Sequence, residues 1–104
     1  VKFIKQTASE FDFNIAAIKS DVLAFISRSN SEYDIVFADP PYAMDQKDFD
    51  KIVLGVFENN LLKANGMLIV EHSKYTKLDT LINFSFKKSY GGSIFSFFEI
   101  KPTE

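Results

Sequence analysis

The sequence predicts an α/β fold in which parallel strands alternate with helices and the sheet ends in an antiparallel β-hairpin. Two continuous apolar runs, residues 35–38 and 67–70, are too short for helices and match strands buried on both faces. Between them Phe49, Ile52, Val53, Val56, Phe57 and Leu61 recur at i, i+3, i+4, i+7 spacing, the strongest helix signal in the chain. Towards the end, residues 84–89 and 94–100 flank Tyr90-Gly91-Gly92-Ser93, whose glycines suit the positive φ of a tight hairpin.

In chain order, Val1, Ile4, Ala8 and Phe11 share a helical face and predict a short helix laid over a sheet. Residues 13–19 follow as a strand, apolar at 15–18, ending at Ser20-Asp21. A second helical stretch then places Val22, Phe25 and Ile26 on one face, with Asp21 as its N-cap. The serine-rich turn 27–32 delivers the chain to strand 35–38, and 43–47 is a loop. Asp45 or Asp48 can cap the long helix, and Asn65-Gly66 supplies the left-handed residue that should stop it. A strand-helix-strand connection in one sheet makes 67–70 parallel to 35–38, so Glu71, His72 and Ser73 fall beside Asp39 and Pro40. Residues 75–82 are a weakly patterned helix or turn. Ser85, Lys87 and Ser89 mark an edge strand, while Ile94-Phe95-Ser96-Phe97-Phe98 belongs in the interior.

The chemistry concentrates where strand 35–38 runs into Asp39-Pro40-Pro41-Tyr42. Each proline fixes its own φ and disfavours helix in the residue before it, so Asp39 and Pro40 are held extended. The Asp39 carboxylate and the Pro40 carbonyl can then accept hydrogen bonds from one planar amine, with the Tyr42 ring near enough to stack on the base that carries it. Taken alone, the double proline is also compatible with a rigid turn and nothing more.

Composition narrows the classes. The 104 residues are 46% hydrophobic, enough for one small globular unit with a modest core. Without cysteine there are no disulfides, no thiolate chemistry and no cysteine-ligated zinc. A single histidine among scattered acids supplies no tetrahedral zinc site, so no metal is expected. A net charge of −2 excludes a grip on nucleic acid by overall field, leaving a local patch from Lys74, Lys77, Lys87 and Lys88, which also suit a solvated edge. No apolar run reaches membrane-spanning length and no signal-like segment is present, so the reading is a cytoplasmic protein without a membrane partner.

Asp39-Pro40-Pro41-Tyr42 resembles the D/N/S-P-P-Y/F signature of S-adenosylmethionine-dependent methyltransferases acting on exocyclic amines. Its spacing to Leu62-Lys63-Ala64-Asn65-Gly66, to Val70-Glu71-His72-Ser73-Lys74 and to Tyr90-Gly91 is similar to the bacterial small-subunit ribosomal RNA guanine-N2 methyltransferase family, over residues 1–99. The resemblance is to the C-terminal portion of that Rossmann-like domain. None of the four glycines forms the G-x-G turn that receives the cofactor, so residues 1–104 are expected to be one partial domain lacking its first strands.

What the resemblance implies is S-adenosyl-L-methionine as cofactor and ribosomal RNA or the small-subunit particle as partner. Asp39 and Pro40 become catalytic; Pro41, Tyr42 and His72 become substrate-binding; Asp21, Val22 and Asp39 become cofactor-binding. Asp21 would accept from the adenine amine, alongside or instead of its N-cap role. For His72 a structural, hydrogen-bonded role competes. Two other functions stay open: a non-catalytic binding or assembly module on the same fold, and the same chemistry on DNA adenine or cytosine. In the resembled fold, strand 13–19 is separated from 35–38 by the strands expected to be missing. Either it moves in beside 35–38, or a second copy completes the sheet as a homodimer across the exposed edge.

Overall fold

The computed structural model describes residues 15–19, 22–28, 32–41 and 44–100; the helical spacing over residues 1–11 lies outside them. Among the described residues the elements are β1 (Ile15–Ile18), α1 (Val22–Arg28), β2 (Tyr33–Ala38), α2 (Gln46–Glu58), β3 (Leu62–His72), β4 (Phe84–Tyr90) and β5 (Ser93–Glu99). They form a mixed α/β structure around one sheet, ordered β1-β2-β3-β5-β4. β1, β2 and β3 run parallel, and β3, β5 and β4 pair antiparallel. Of the two ways expected to complete the sheet, the structure shows the first. Ile15 pairs with Ile35 and Ile18 with Ala38.

Side chains alternate along each strand, so the register sorts residues onto two faces. Ala16, Ile18, Val36, Ala38, Leu68, Val70 and Phe98 share one buried core with Val22 and Ile26 of α1 and Phe49, Ile52, Val53 and Val56 of α2. Both helices therefore cover the same face. Each of these large side chains is worth about 1.5–3 kcal/mol once buried. On the opposite face Ile15, Ala17, Ile35, Met67, Ile69, Phe95 and Phe97 are only half-buried. Burial on both faces holds for residues 36–38, but 67–70 alternates, because no described helix lies over Met67 and Ile69.

The amphipathic stripe of α2 folds as its spacing predicts, but its ends differ from expectation. Asp45 precedes the helix in extended conformation and makes no side-chain cap bond. Its main-chain carbonyl instead accepts from the Asp48 and Phe49 amides at 3.0 and 3.1 Å. The helix stops at Asn59, whose amide reaches Gly55 O at 3.0 Å, and at Asn60, which takes a φ of 54°. Asparagine tolerates that left-handed conformation, so no glycine is needed.

Asn65-Gly66, expected to end this helix, lies within β3. Tyr33 pairs with Leu62 but Ile35 with Met67, so β3 loops out extra residues between those pairs. Asn65 supplies a left-handed φ of 68°. At Gly66 a Cβ would lie 2.8 Å from Lys63 O, 3.1 Å from Tyr33 O and 3.2 Å from Asp34 O, so only glycine fits. In the hairpin Gly91 alone has positive φ, at 58°, and β4 is the edge strand, as its lysines and serines predict. No helix among the described residues is long and apolar enough to cross a membrane.

Candidate active site

The parallel register brings β1, β2 and β3 to a common edge, where each apolar run gives way to a charged residue: Lys19, Asp39 and Glu71. The amide of Asp39 donates to Ile18 O at 2.8 Å, which holds the backbone of the acid against β1 after β2 has ended. Pro40 is buried and Pro41 exposed. The carbonyl of Pro41 accepts from the Met44 amide at 3.0 Å in the turn that leads to α2.

Ala38 pairs with Val70, which sets Asp39 beside Glu71 at the end of neighbouring strands. A carboxylate neighbour disfavours the charged form of Asp39. Burial, followed by the Glu71 charge, pushes the Asp39 carboxyl above its usual range, while Lys19 acts in the opposite direction. On its far side Glu71 Oε2 accepts from Ser93 Oγ at 3.0 Å, next to the hairpin turn. A chain Ser93–Glu71–Asp39 thus crosses the edge of the sheet. Sequence reasoning placed Glu71 beside Asp39 without giving it a role, and missed Ser93 as the partner of Glu71. The signal was present in two apolar runs of equal length, each followed directly by an acid.

His72 follows Glu71 and so points to the other face, where it is 2% exposed. Its Nδ1 lies 2.8 Å from Ser73 O, which can only accept, so Nδ1 carries the hydrogen and Nε2 accepts from Ser96 Oγ at 2.7 Å. The Phe49 ring packs edge-on at 6.2 Å. Burial lowers the affinity of His72 for a second proton. Its surroundings are those of a satisfied core histidine, so the expected contact with substrate gives way to a structural role. Val22, expected to meet the cofactor, is 1% exposed and packed in the core beneath α1. Asp21 and Tyr42 lie outside the described residues.

The rim is tied together by Gln46. From the first turn of α2 its amide donates to Lys77 O at 2.7 Å, and its carbonyl accepts from the Lys77 amide at 2.9 Å. The segment after β3 is thereby joined to the segment after β2. Lys74, Lys77, Lys87 and Lys88 are all exposed, and Lys74 Nζ sits 5.3 Å from the centre of the open Tyr75 ring. Among the described residues no cluster of acids or histidine could hold a metal ion.

Comparison with known proteins follows the same lines. The family model described as conserved hypothetical protein 95 matches residues 1–99. Among solved structures, a conserved hypothetical protein of Streptococcus pyogenes is similar at 26% identity, over 73% of this chain and 48% of its own, with a TM-score of 0.62. A candidate methylase of Haemophilus influenzae is 23% identical over 93% of this chain and 63% of its own, TM-score 0.59. A candidate methyltransferase of Escherichia coli is 22% identical over 92% and 54%, TM-score 0.60. The likeness to the last two is one of fold. The chain spans about half the length of the solved structures it matches. No curated protein matches it.

Proposed function

The chain belongs to the conserved hypothetical protein 95 family, a methyltransferase family, and from that premise we propose that it is part of a Rossmann-like methyltransferase acting on the exocyclic N2 amine of guanine in small-subunit ribosomal RNA. The observation that carries the proposal is the placement of Asp39-Pro40 at the end of β2, where ligands of such sheets bind. S-adenosyl-L-methionine, when bound, supplies an electrophilic methyl group on a sulfonium and leaves as a neutral thioether. The carboxyl-lined edge at Asp39 fits the positively charged, methyl-bearing end of that cofactor. None of the four glycines in residues 1–104 forms a G-x-G turn for its other end.

A guanine amine is a poor nucleophile because its lone pair is delocalised into the ring. Asp39 and the Pro40 carbonyl accept its two hydrogens, fix the nitrogen in place and favour the pyramidal form that attacks. Positioning of this kind contributes about 7 kcal/mol in favourable cases. Tyr42 stacks on the unpaired base, and the exposed lysines near the edge meet phosphates of the small-subunit RNA.

The test is Asp39→Ala in the full-length protein carrying this sequence, assayed with labelled S-adenosyl-L-methionine on unmethylated small ribosomal subunits. Methyl transfer should disappear while calorimetric binding of the cofactor persists. Turnover near the wild-type rate would sink the reading, and transfer to DNA in place of subunits would move the substrate.

A further inference from the structure

We propose that Glu71, anchored by Ser93, is a positioning residue that makes Asp39 the acceptor of the proton released by the methylated amine. The inference rests on the proposed function and deepens it. The motif at the end of β2 accounts for holding the amine, but not for where its proton goes.

The geometry is specific. Asp39 is held by its amide on Ile18 O, and the β2–β3 register brings Glu71 alongside from the neighbouring strand. The two carboxyl groups are neighbours at the end of the sheet, and Ser93 Oγ at 3.0 Å fixes the far oxygen of Glu71. Asp39 is thus flanked by a group that can accept a hydrogen bond from it only once it is protonated. Ser93 Oγ already donates to Glu71, so a proton taken up between the two acids forms its O–H bond on Asp39. Among the described residues, the charged groups acting on Asp39 are Glu71 from β3 and Lys19 from the end of β1. Burial and then the neighbouring Glu71 raise the Asp39 carboxyl despite the lysine.

The step balances. The nitrogen that has gained a methyl group carries one positive charge; one N–H bond breaks with its electron pair left on nitrogen, and the proton forms an O–H bond on Asp39. A neutral secondary amine and a neutral carboxylic acid result. The new O–H donates to Glu71, so the product state gains a hydrogen bond that the reactant state lacks.

Two measurements test this. Carbon-13 NMR titration of the Asp39 carboxyl in the chain should show its midpoint moving to lower pH in Glu71→Gln, which keeps the shape and removes the charge. The shorter Glu71→Asp, which draws the charge away from Asp39, should move the Asp39 midpoint in the same direction, which keeps the test open if Glu71→Gln does not fold. In the full-length protein, the acid limb of the kcat profile on small ribosomal subunits should move to lower pH in Glu71→Gln, with cofactor affinity unchanged. An Asp39 midpoint unmoved by either variant, or an unmoved acid limb, would overturn the inference. If instead Asp39→Asn still transfers methyl groups, it is the proposed function that fails, whatever the titrations show.

Discussion

His72 Nε2 lies 2.7 Å from Ser96 Oγ, a hydrogen bond between β3 and β5 inside the core beneath α2. Because the ring already donates through Nδ1, a second proton on Nε2 would face a donor-turned-competitor in a buried site. The folded state therefore binds fewer protons at His72 than the unfolded chain does. Its contribution to stability is complete above the ordinary value of 6.5 and is lost as pH falls through that value. Urea midpoints should drop between pH 7.5 and 5.5 for the wild type and drop less for His72→Gln. Equal slopes in the two proteins would remove His72 as the cause.

Asp39 has the opposite sign. Its carboxyl is raised in the fold, so the native state binds more protons than the unfolded one above the ordinary value of 3.8. Stability falls as pH rises through that window, and at neutral pH the charged acid is a net destabiliser. Asp39→Asn should thus raise the urea midpoint at pH 7, with no gain below pH 3.8. A midpoint lowered at pH 7 would contradict this.

Gly66→Ala should be costly although its backbone is not left-handed. The added Cβ meets three main-chain carbonyls, at 2.8 to 3.2 Å, none of which can rotate away. Overpacking of this kind costs about 1–3 kcal/mol. Denaturant unfolding measures it directly, and a change within a few tenths of a kcal/mol would show that the bulge yields.

Phe98 is fully buried on β5 and meets the Phe84 ring edge-on at 5.6 Å. Phe98→Ala should cost about 3–5 kcal/mol, a large share of the stability of a domain this size. Because Phe98 pairs with Leu68 rather than with the strand end, cofactor binding in the full-length protein should fall only in proportion to unfolding. A thermal melt and a titration on the same sample separate the two.

Much of this was legible in the residues. Runs of equal length before Asp39 and Glu71 carried the parallel register, and the spacing over Phe49 to Val56 carried the helix and its buried side. Three points were not legible, each for a local reason. Asn65-Gly66 has the chemistry of a helix stop, but Asn59-Asn60 reaches the left-handed region first and leaves it to shape β3. His72 follows an apolar run that reads as a complete strand, yet β3 continues through it, so alternation still governs and sends its ring inward. Val22 opens a helix beside a candidate ligand site, but its stripe with Ile26 is what the core takes up.

The loop within β3 divides that strand into two halves that should respond differently to changes of length. Residues 62–66 already stand out of step with β2, so a residue gained or lost there can be absorbed without moving Met67. From Met67 to Glu71 every position is matched one to one, and a single insertion would exchange the two faces beyond it. Glu71 would then turn under α2 and the residue that precedes it would stand beside Asp39. Insertion scanning along β3, read by the Asp39 titration, should find one half permissive and the other not.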